Sequence, residues 1–238
     1  MPNNIRPKVK TVKAKSALVL FVKYPKKGRV KTRLALETDD DFATEIYACF
    51  IKDSLSRFQN IKGDLIPFIS EKNKISLFQK KFDFTKKCYD QSSGHLGIRM
   101  KHAMKVMFND KYDHVVIIGS DCPDLPVSYI NNAFSRLLKN DVVIGPATDG
   151  GYYLIGSSNP KTLNILFTNI DWSTDKVLLQ TIDRINSEGF SYYLLNEWCD
   201  IDALENLKFC YKNAGKRKFS HSHTIHYLKN NQKFKSYK

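Results

Sequence analysis

The sequence predicts an α/β fold, a Rossmann-like three-layer α/β/α sandwich on a mainly parallel sheet. Three observations carry this. Short, nearly continuous apolar runs recur along the chain, segments with helical apolar spacing lie between them, and 238 residues suit one large α/β domain. Strands that are apolar along their whole length are buried on both faces, so helices must cover both sides of the sheet.

The elements follow in order. ALVLFVK (17 to 23) reads as a core strand, and the segment opening at Lys31, Thr32 and Arg33 as the start of a helix. DFATEIYACFIKDSLSRF (41 to 58) places Phe42, Ile46, Phe50 and Leu55 on one helical face. LIPFIS (65 to 70) is a second strand, LGIRMKHAMKVMF (96 to 108) a second amphipathic helix, and HVVIIGS (114 to 120) the most apolar strand. DVVIGP (141 to 146) and YYLIG (152 to 156) are strands. STDKVLLQTIDRINSEG (173 to 189) is a helix with Ser173 or Thr174 as its expected cap and Gly189 as its end. FSYYLL (190 to 195) closes the set, before a short helix after Asp202. No internal repeat is visible.

The charge is unevenly placed. The chain carries a formal net charge of +14, but residues 1 to 16 hold five Lys or Arg and no acid, and residues 208 to 238 hold nine and no acid. Between them 24 basic residues face 24 acidic ones, so the core is neutral. This divides the chain into a basic N-terminal arm (1–16), a catalytic-sized domain (17–211) and a basic C-terminal tail (212–238), with both ends expected to be poorly ordered and TIHYLK (224 to 229) a candidate short element. No apolar stretch approaches the length of a membrane span or a signal-peptide core. Five widely spaced cysteines without a CxxC pair favour free thiols in a reducing cytoplasm over a disulfide frame or a zinc site.

Ligands of such sheets bind outside the carboxyl ends of the strands. KYPKKGRVKTR (23 to 33) lies at one such end, with six cations and no carboxylate in eleven residues. Lys31, Thr32 and Arg33 at a helix start suit an anion such as phosphate. Lys26 and Lys27 read equally well as a solvated loop. The GRVKT spacing does not make a Walker A loop. GSDCPDLP (119 to 126) puts Asp121 and Asp124 at the end of the most apolar strand. There, carboxylate oxygens could hold Mg²⁺ or Mn²⁺ beside substrate phosphates, or act as a turn former, the better reading for Asp124. GPATDGGYYLIG (145 to 156) offers Asp149 before Gly150 and Gly151, which allow a tight turn or a close approach to a ligand. WCDIDALENL (198 to 207) contributes Asp200 and Asp202, and QSSGHLGIRM (91 to 100) contributes Gln91 and Arg99 at another helix start. Cys122 reads as a small turn residue rather than a nucleophile, because no histidine pattern marks a base. His221, His223 and His226 read as a polar segment rather than a metal site.

The strings KYPKKGRVKTRL, IIGSDCPDL, VVIGPATDGGYYLIG and IDWSTD with the late DID, in this order, resemble a family of glycosyltransferase-like transferases found beside radical-SAM and selenium-linked proteins. These are similar to phospholactate guanylyltransferase and molybdenum-cofactor guanylyltransferase. The likeness covers roughly residues 17 to 207. It implies a nucleotide-diphospho-sugar transferase fold of glycosyltransferase A type that uses a divalent metal. It also implies roles: Lys23, Gly28, Lys31, Thr32, Arg33, Gln91 and Arg99 on the nucleotide phosphates, Asp121 and Asp202 on the metal, Asp121, Lys31 and Asp149 in catalysis, and Gly150, Gly151 and Tyr152 on the acceptor side. Two departures stand out. His95 replaces an acidic residue before Leu-Gly, and ALEN (203 to 206) replaces a Thr-Pro-Glu-Asp pattern, which weakens Asp202 as a ligand.

Two transfer chemistries fit these residues. In the favoured one, a metal and the basic loop stabilise a departing nucleoside diphosphate while a small-molecule acceptor's hydroxyl attacks the sugar. In the other, an acceptor phosphate attacks a nucleoside triphosphate and pyrophosphate leaves. The charge density of the loop suits a triphosphate; the lack of a Gly-rich Arg-Met-Gly loop favours the sugar donor. A third reading, nucleic-acid binding, draws on the aromatics interleaved with Lys and Arg in residues 215 to 238, but no RNA-binding motif accompanies them.

Overall fold

The computed structural model describes residues 14–237, so the N-terminal arm expected over residues 1–16 lies almost wholly outside the described residues. Seven strands form one sheet: β1 (Ser16–Val22), β2 (Asp64–Ile69), β3 (Tyr89–Asp90), β4 (His114–Gly119), β5 (Val142–Pro146), β6 (Tyr152–Ser157) and β7 (Tyr192–Leu194). The helices are α1 (Thr32–Glu37), α2 (Asp40–Arg57), α3 (Ile75–Phe82), α4 (Leu96–Asn109), α5 (Val127–Leu137), α6 (Leu163–Phe167), α7 (Val177–Ser187), α8 (Leu204–Asn213), α9 (His223–Asn230) and α10 (Gln232–Ser236).

The strand order is β3-β2-β1-β4-β6-β5-β7. All neighbours are parallel except β6, which runs antiparallel to both β4 and β5. The mainly parallel α/β architecture expected from the sequence is therefore present. Side chains alternate across the sheet as the pleat requires. Leu18, Leu20 and Val22 of β1 join one buried cluster with α2 and α5, while Ala17 and Val19 join a second with α4 and α6. The chain builds outward through β2 and β3 on one side of β1 and through β4 on the other. The direction of winding reverses between β1 and β4, which opens a crevice at their carboxyl ends.

Two elements depart from expectation. The helix expected from Ser173 begins at Val177. Ser173 instead takes a left-handed backbone (φ 67°), and the Thr174 hydroxyl turns back to donate to the Asp171 carbonyl at 2.7 Å.

The C-terminal segment is the larger difference. Instead of a loose basic tail, residues 215–237 fold α9 and α10 against α2. Phe219, Ile225, Leu228 and Phe234 are buried in the same cluster as the sheet. Phe42 of α2 stacks on Phe234 and meets Tyr227 and Tyr237. The buried Asp53 carboxylate accepts from the backbone N–H groups of His223 and Thr224 at 2.7 and 2.9 Å, closing the start of α9. Aromatics that could have stacked on nucleic-acid bases are thus used as core. The candidate element at 224 to 229 is the body of α9, and the basic residues around it flank buried apolar positions.

Candidate active site

β1 ends at Val22 and the chain enters the basic segment in the crevice. Lys31 sits immediately before α1 in a left-handed backbone conformation (φ 48°, ψ 45°), which costs a non-glycine residue about 1–3 kcal/mol and needs support from its surroundings. The support is ionic. Its ammonium contacts the Asp121 carboxylate and lies 2.6 Å from Asp202 Oδ1. The Lys31 side chain is only 3% exposed, whereas the side chains of Asp121 and Asp202 are 41% and 46% exposed. The ammonium also lies 5.6 Å from the centre of the Phe50 ring. Burial alone would lower the Lys31 pKa, but the two carboxylates outweigh it and hold the ammonium above its ordinary value.

Asp121 lies two residues past the end of β4, the strand paired with β1, so the sheet delivers it to the crevice. Asp202 reaches the same place because the Ile201 N–H donates to the Asp121 carbonyl at 2.9 Å. The segment is anchored on its other side by Leu204, whose N–H donates to Glu37 Oε1 at 3.0 Å. The ALEN stretch opens α8 two residues after Asp202. Asn206 closes the turn by accepting from the Ala203 N–H at 3.1 Å.

A cavity of about 440 Å³ opens over this cluster. Lys23, Lys31, Thr32, Arg33, Gln91, Arg99, Asp121, Tyr152 and Asp202 all line it. Lys23 and Arg33 are exposed. Gln91 is buried and bonds the ends of two strands, donating to the carbonyls of Phe68 (2.7 Å) and Val22 (3.3 Å). Its Oε1 accepts from the Arg99 guanidinium, which fixes Arg99 at the first turn of α4.

Other expected residues stand apart. Gly28 has a left-handed φ of 71°, but faces Asp40 and is not in the cavity wall. Asp149 is exposed and its Oδ1 accepts from the Gly151 N–H at 3.0 Å, forming a turn. Gly150 does meet a close neighbour: a Cβ there would lie 2.3 Å from the Asp175 carbonyl oxygen. The close approach that its sequence suggested is to the chain's own backbone. Lys27 pairs with Asp41 at 2.7 Å on the surface, in keeping with the solvated-loop reading of that position.

Asp124 lies in a turn, as expected, but its side chain does more than form it. It is fully buried, pairs with the Arg217 guanidinium and accepts from Trp198 Nε1 at 3.2 Å. The Arg217 guanidinium carbon lies 4.4 Å above the Trp198 ring. Three further side chains, Tyr47, Cys122 and Asp200, also line the cavity. The Lys23 N–H donates to the Tyr47 hydroxyl (3.1 Å), which in turn shares a hydrogen bond with Ser120 Oγ (2.7 Å) and ties the ends of β1 and β4 together. Burial, with the Asp121 charge behind it, pushes Tyr47 up to about 12. The buried Cys122 thiol donates to Asp200 Oδ1 at 2.8 Å. Burial and then the Asp200 charge hold that thiol protonated, against a nucleophile role. Burial and then Asp121 raise Asp200 to about 6. Tyr47 carries no sequence signal of its own, because it lies among the buried positions of α2, and only proximity reveals it.

The donor set bears on a metal. Among the described residues no group of three or more His, Cys, Asp or Glu is arranged to hold one, the histidines at 221 to 226 included. Mg²⁺, however, is commonly held through one or two carboxylates with the rest of its shell supplied by water and substrate phosphate. Asp121 and Asp202, partly exposed and adjacent, fit that arrangement.

The comparisons agree with the architecture. No curated protein matches the chain. A protein from Desulfovibrio desulfuricans, described as a "putative nucleotide-diphospho-sugar transferase", is 32% identical with a TM-score of 0.88, over 94% of this chain and 99% of its own. A cytidylyltransferase from Leptospira borgpetersenii shares the fold at 15% identity and a TM-score of 0.57, over 93% and 97% of the two chains. So does 4-diphosphocytidyl-2C-methyl-D-erythritol synthase from Anaerococcus prevotii, at 10% identity and 0.56, over 91% and 97%. Residues 55–174, from the end of α2 to the loop before α7, match the family described as "Uncharacterized protein conserved in bacteria (DUF2064)", and the chain belongs to that family.

Proposed function

We propose that the chain is a transferase that takes a nucleotide-diphospho-sugar donor and passes the sugar to a small-molecule acceptor with the help of Mg²⁺ or Mn²⁺. The observation that carries this is the Lys31 ammonium held between Asp121 and Asp202 at the ends of β1 and β4, beneath a cavity rimmed by Lys23, Arg33 and Arg99. The relative described as a nucleotide-diphospho-sugar transferase supports the choice of donor. The finer likeness to radical-SAM-associated and selenium-associated transferases rests on the sequence strings alone.

The task of these residues is electrostatic. Lys23, Arg33 and Arg99 orient the diphosphate, and Lys31 meets the charge that develops as the sugar–phosphate bond breaks. A divalent ion bound through Asp121 and Asp202 would supply further charge neutralisation to that diphosphate. Tyr152 lines the cavity as the acceptor-side residue, and the acceptor's attacking oxygen forms the new bond to the sugar as the nucleoside diphosphate leaves.

A second reading, nucleotidyl transfer, is favoured by the number of cations. Four of them line one cavity, enough for a triphosphate. The two are separated by incubating the protein with a nucleotide-sugar panel and a nucleoside triphosphate panel. Release of nucleoside diphosphate from the first supports glycosyl transfer, and pyrophosphate from the second supports nucleotidyl transfer. Neither product from any donor would sink both.

A further inference from the structure

We infer that the Lys31 ammonium is the resting cation of this site, occupying the place a divalent ion would take and excluding a free ion until a phosphate draws the ammonium away. The inference rests on the reading of Asp121 and Asp202 as the metal-holding pair.

Geometry carries it. One ammonium touches both carboxylates, meeting Asp121 Oδ1 and lying 2.6 Å from Asp202 Oδ1. Magnesium sits about 2.0–2.1 Å from its oxygen ligands. An ion bound to those same two oxygens would therefore fall almost on top of Nζ, with like charge and no room. The ammonium is also well seated. Its side chain is 3% exposed, Nζ lies 5.6 Å from the centre of the Phe50 ring, and its backbone holds a left-handed conformation.

A buried ammonium leaves such a seat only for another anion. The cavity supplies the route, since Lys23, Arg33 and Arg99 line the same space and attract phosphate to it. A donor's phosphates would accept Lys31 and, in the same step, expose both carboxylates. The ion then enters with its phosphate ligands rather than before them. Lys31 so becomes a positioning residue that sets the order of binding, in addition to any contact with the donor.

The test uses Mn²⁺ alone, read by the electron paramagnetic resonance of the free ion, without nucleotide. Lys31→Met should bind Mn²⁺ at least tenfold more tightly than the parent, and Asp121→Asn added to it should remove that gain. Equal affinity in the parent and in Lys31→Met would overturn the inference, because the ion would then be using oxygens that Lys31 does not occupy. The donor panels read product release, so transfer activity stands or falls separately from this result. Should Lys31→Met fail to fold with its carboxylates unpaired, the parent itself decides. Any Mg²⁺ that binds there does so by displacing the ammonium, and so should shift one lysine ε-methylene resonance, the one missing from Lys31→Arg. Saturable Mg²⁺ binding with that resonance unmoved would contradict the exclusion.

Discussion

Two stretches of this chain are strongly basic, and the fold uses them in opposite ways. The two ends of the segment from 23 to 33 line a cavity, with Lys23 and Arg33 exposed at its wall. The segment from 215 to 237 is part of the core. Arg217 pairs with the fully buried Asp124, Lys233 bonds Asp39 at 2.6 Å, and the apolar residues between them pack on α2. Charge density alone did not distinguish a binding surface from a structural clasp. What separates them is the company particular cations keep: Arg217 and Lys233 of the tail pair with carboxylates from distant parts of the chain, while Lys23 and Arg33 stay exposed at the cavity and only Lys31 of that segment is held by distant carboxylates.

The sharpest way to break the comparison is to end the chain at residue 215. Burying a Phe, Leu or Ile side chain contributes about 1.5–3 kcal/mol, and the deletion exposes the partners of Phe219, Ile225, Leu228 and Phe234 together. That loss approaches the whole stability of an ordinary domain, about 5–15 kcal/mol. The shortened chain should show no cooperative thermal transition by circular dichroism. A normal melt would show that the tail adds nothing to the core.

Arg217→Met should come next. It keeps the contact with Trp198 but leaves the Asp124 carboxylate buried without its cation, a change that costs about 3–5 kcal/mol. Urea unfolding should show that loss with little change in nucleotide affinity.

Asp200 gives a pH signature. Its pKa rises from 3.8 to about 6 on folding, so the folded state binds more protons between those values. The group costs nothing below about pH 4, and stability falls as pH rises through about 6, reaching a penalty on the order of 3 kcal/mol. Asn at this position does not titrate and can still accept from Cys122. Asp200→Asn should therefore be more stable than the parent at pH 7 and gain little at pH 4, measured by urea unfolding at both.

The smallest effect separates residues within the loop. Arg33→Ala should weaken nucleotide binding about tenfold, in line with the loss of a charge-assisted hydrogen bond, and leave stability nearly unchanged. Lys27→Ala should change neither, because its exposed partner Asp41 is on the surface. Calorimetric titration with equal losses in the two variants would make the loop a diffuse basic patch.

Much of the fold was legible because β1, β4 and the two long helices announce themselves by apolar spacing. The placement of Asp121 at a strand end followed from the same reading. The antiparallel course of β6 was not, since a Gly-Gly turn after a strand serves a hairpin and a ligand loop equally well. The pairing of Asp124 with Arg217, 93 residues away, leaves no local trace. Nor does the meeting of Lys31 with Asp202 across 171 residues, which depends on the Ile201 to Asp121 backbone bond. Local spacing reports faces and ends of elements, while long-range ion pairs appear only once the chain has folded.

The central claim is that the cavity over Lys31, Asp121 and Asp202 receives a nucleotide's phosphates. The most direct measurement is a crystal structure of the protein grown with Mn²⁺ and a mixture of nucleotide-sugars and nucleoside triphosphates. Phosphate density is expected within hydrogen-bonding reach of Arg33 and Arg99, with the anomalous Mn²⁺ signal beside Asp121 and the Lys31 ammonium turned toward the phosphates. A nucleotide bound elsewhere, with Lys31 still seated between its two aspartates, would contradict it.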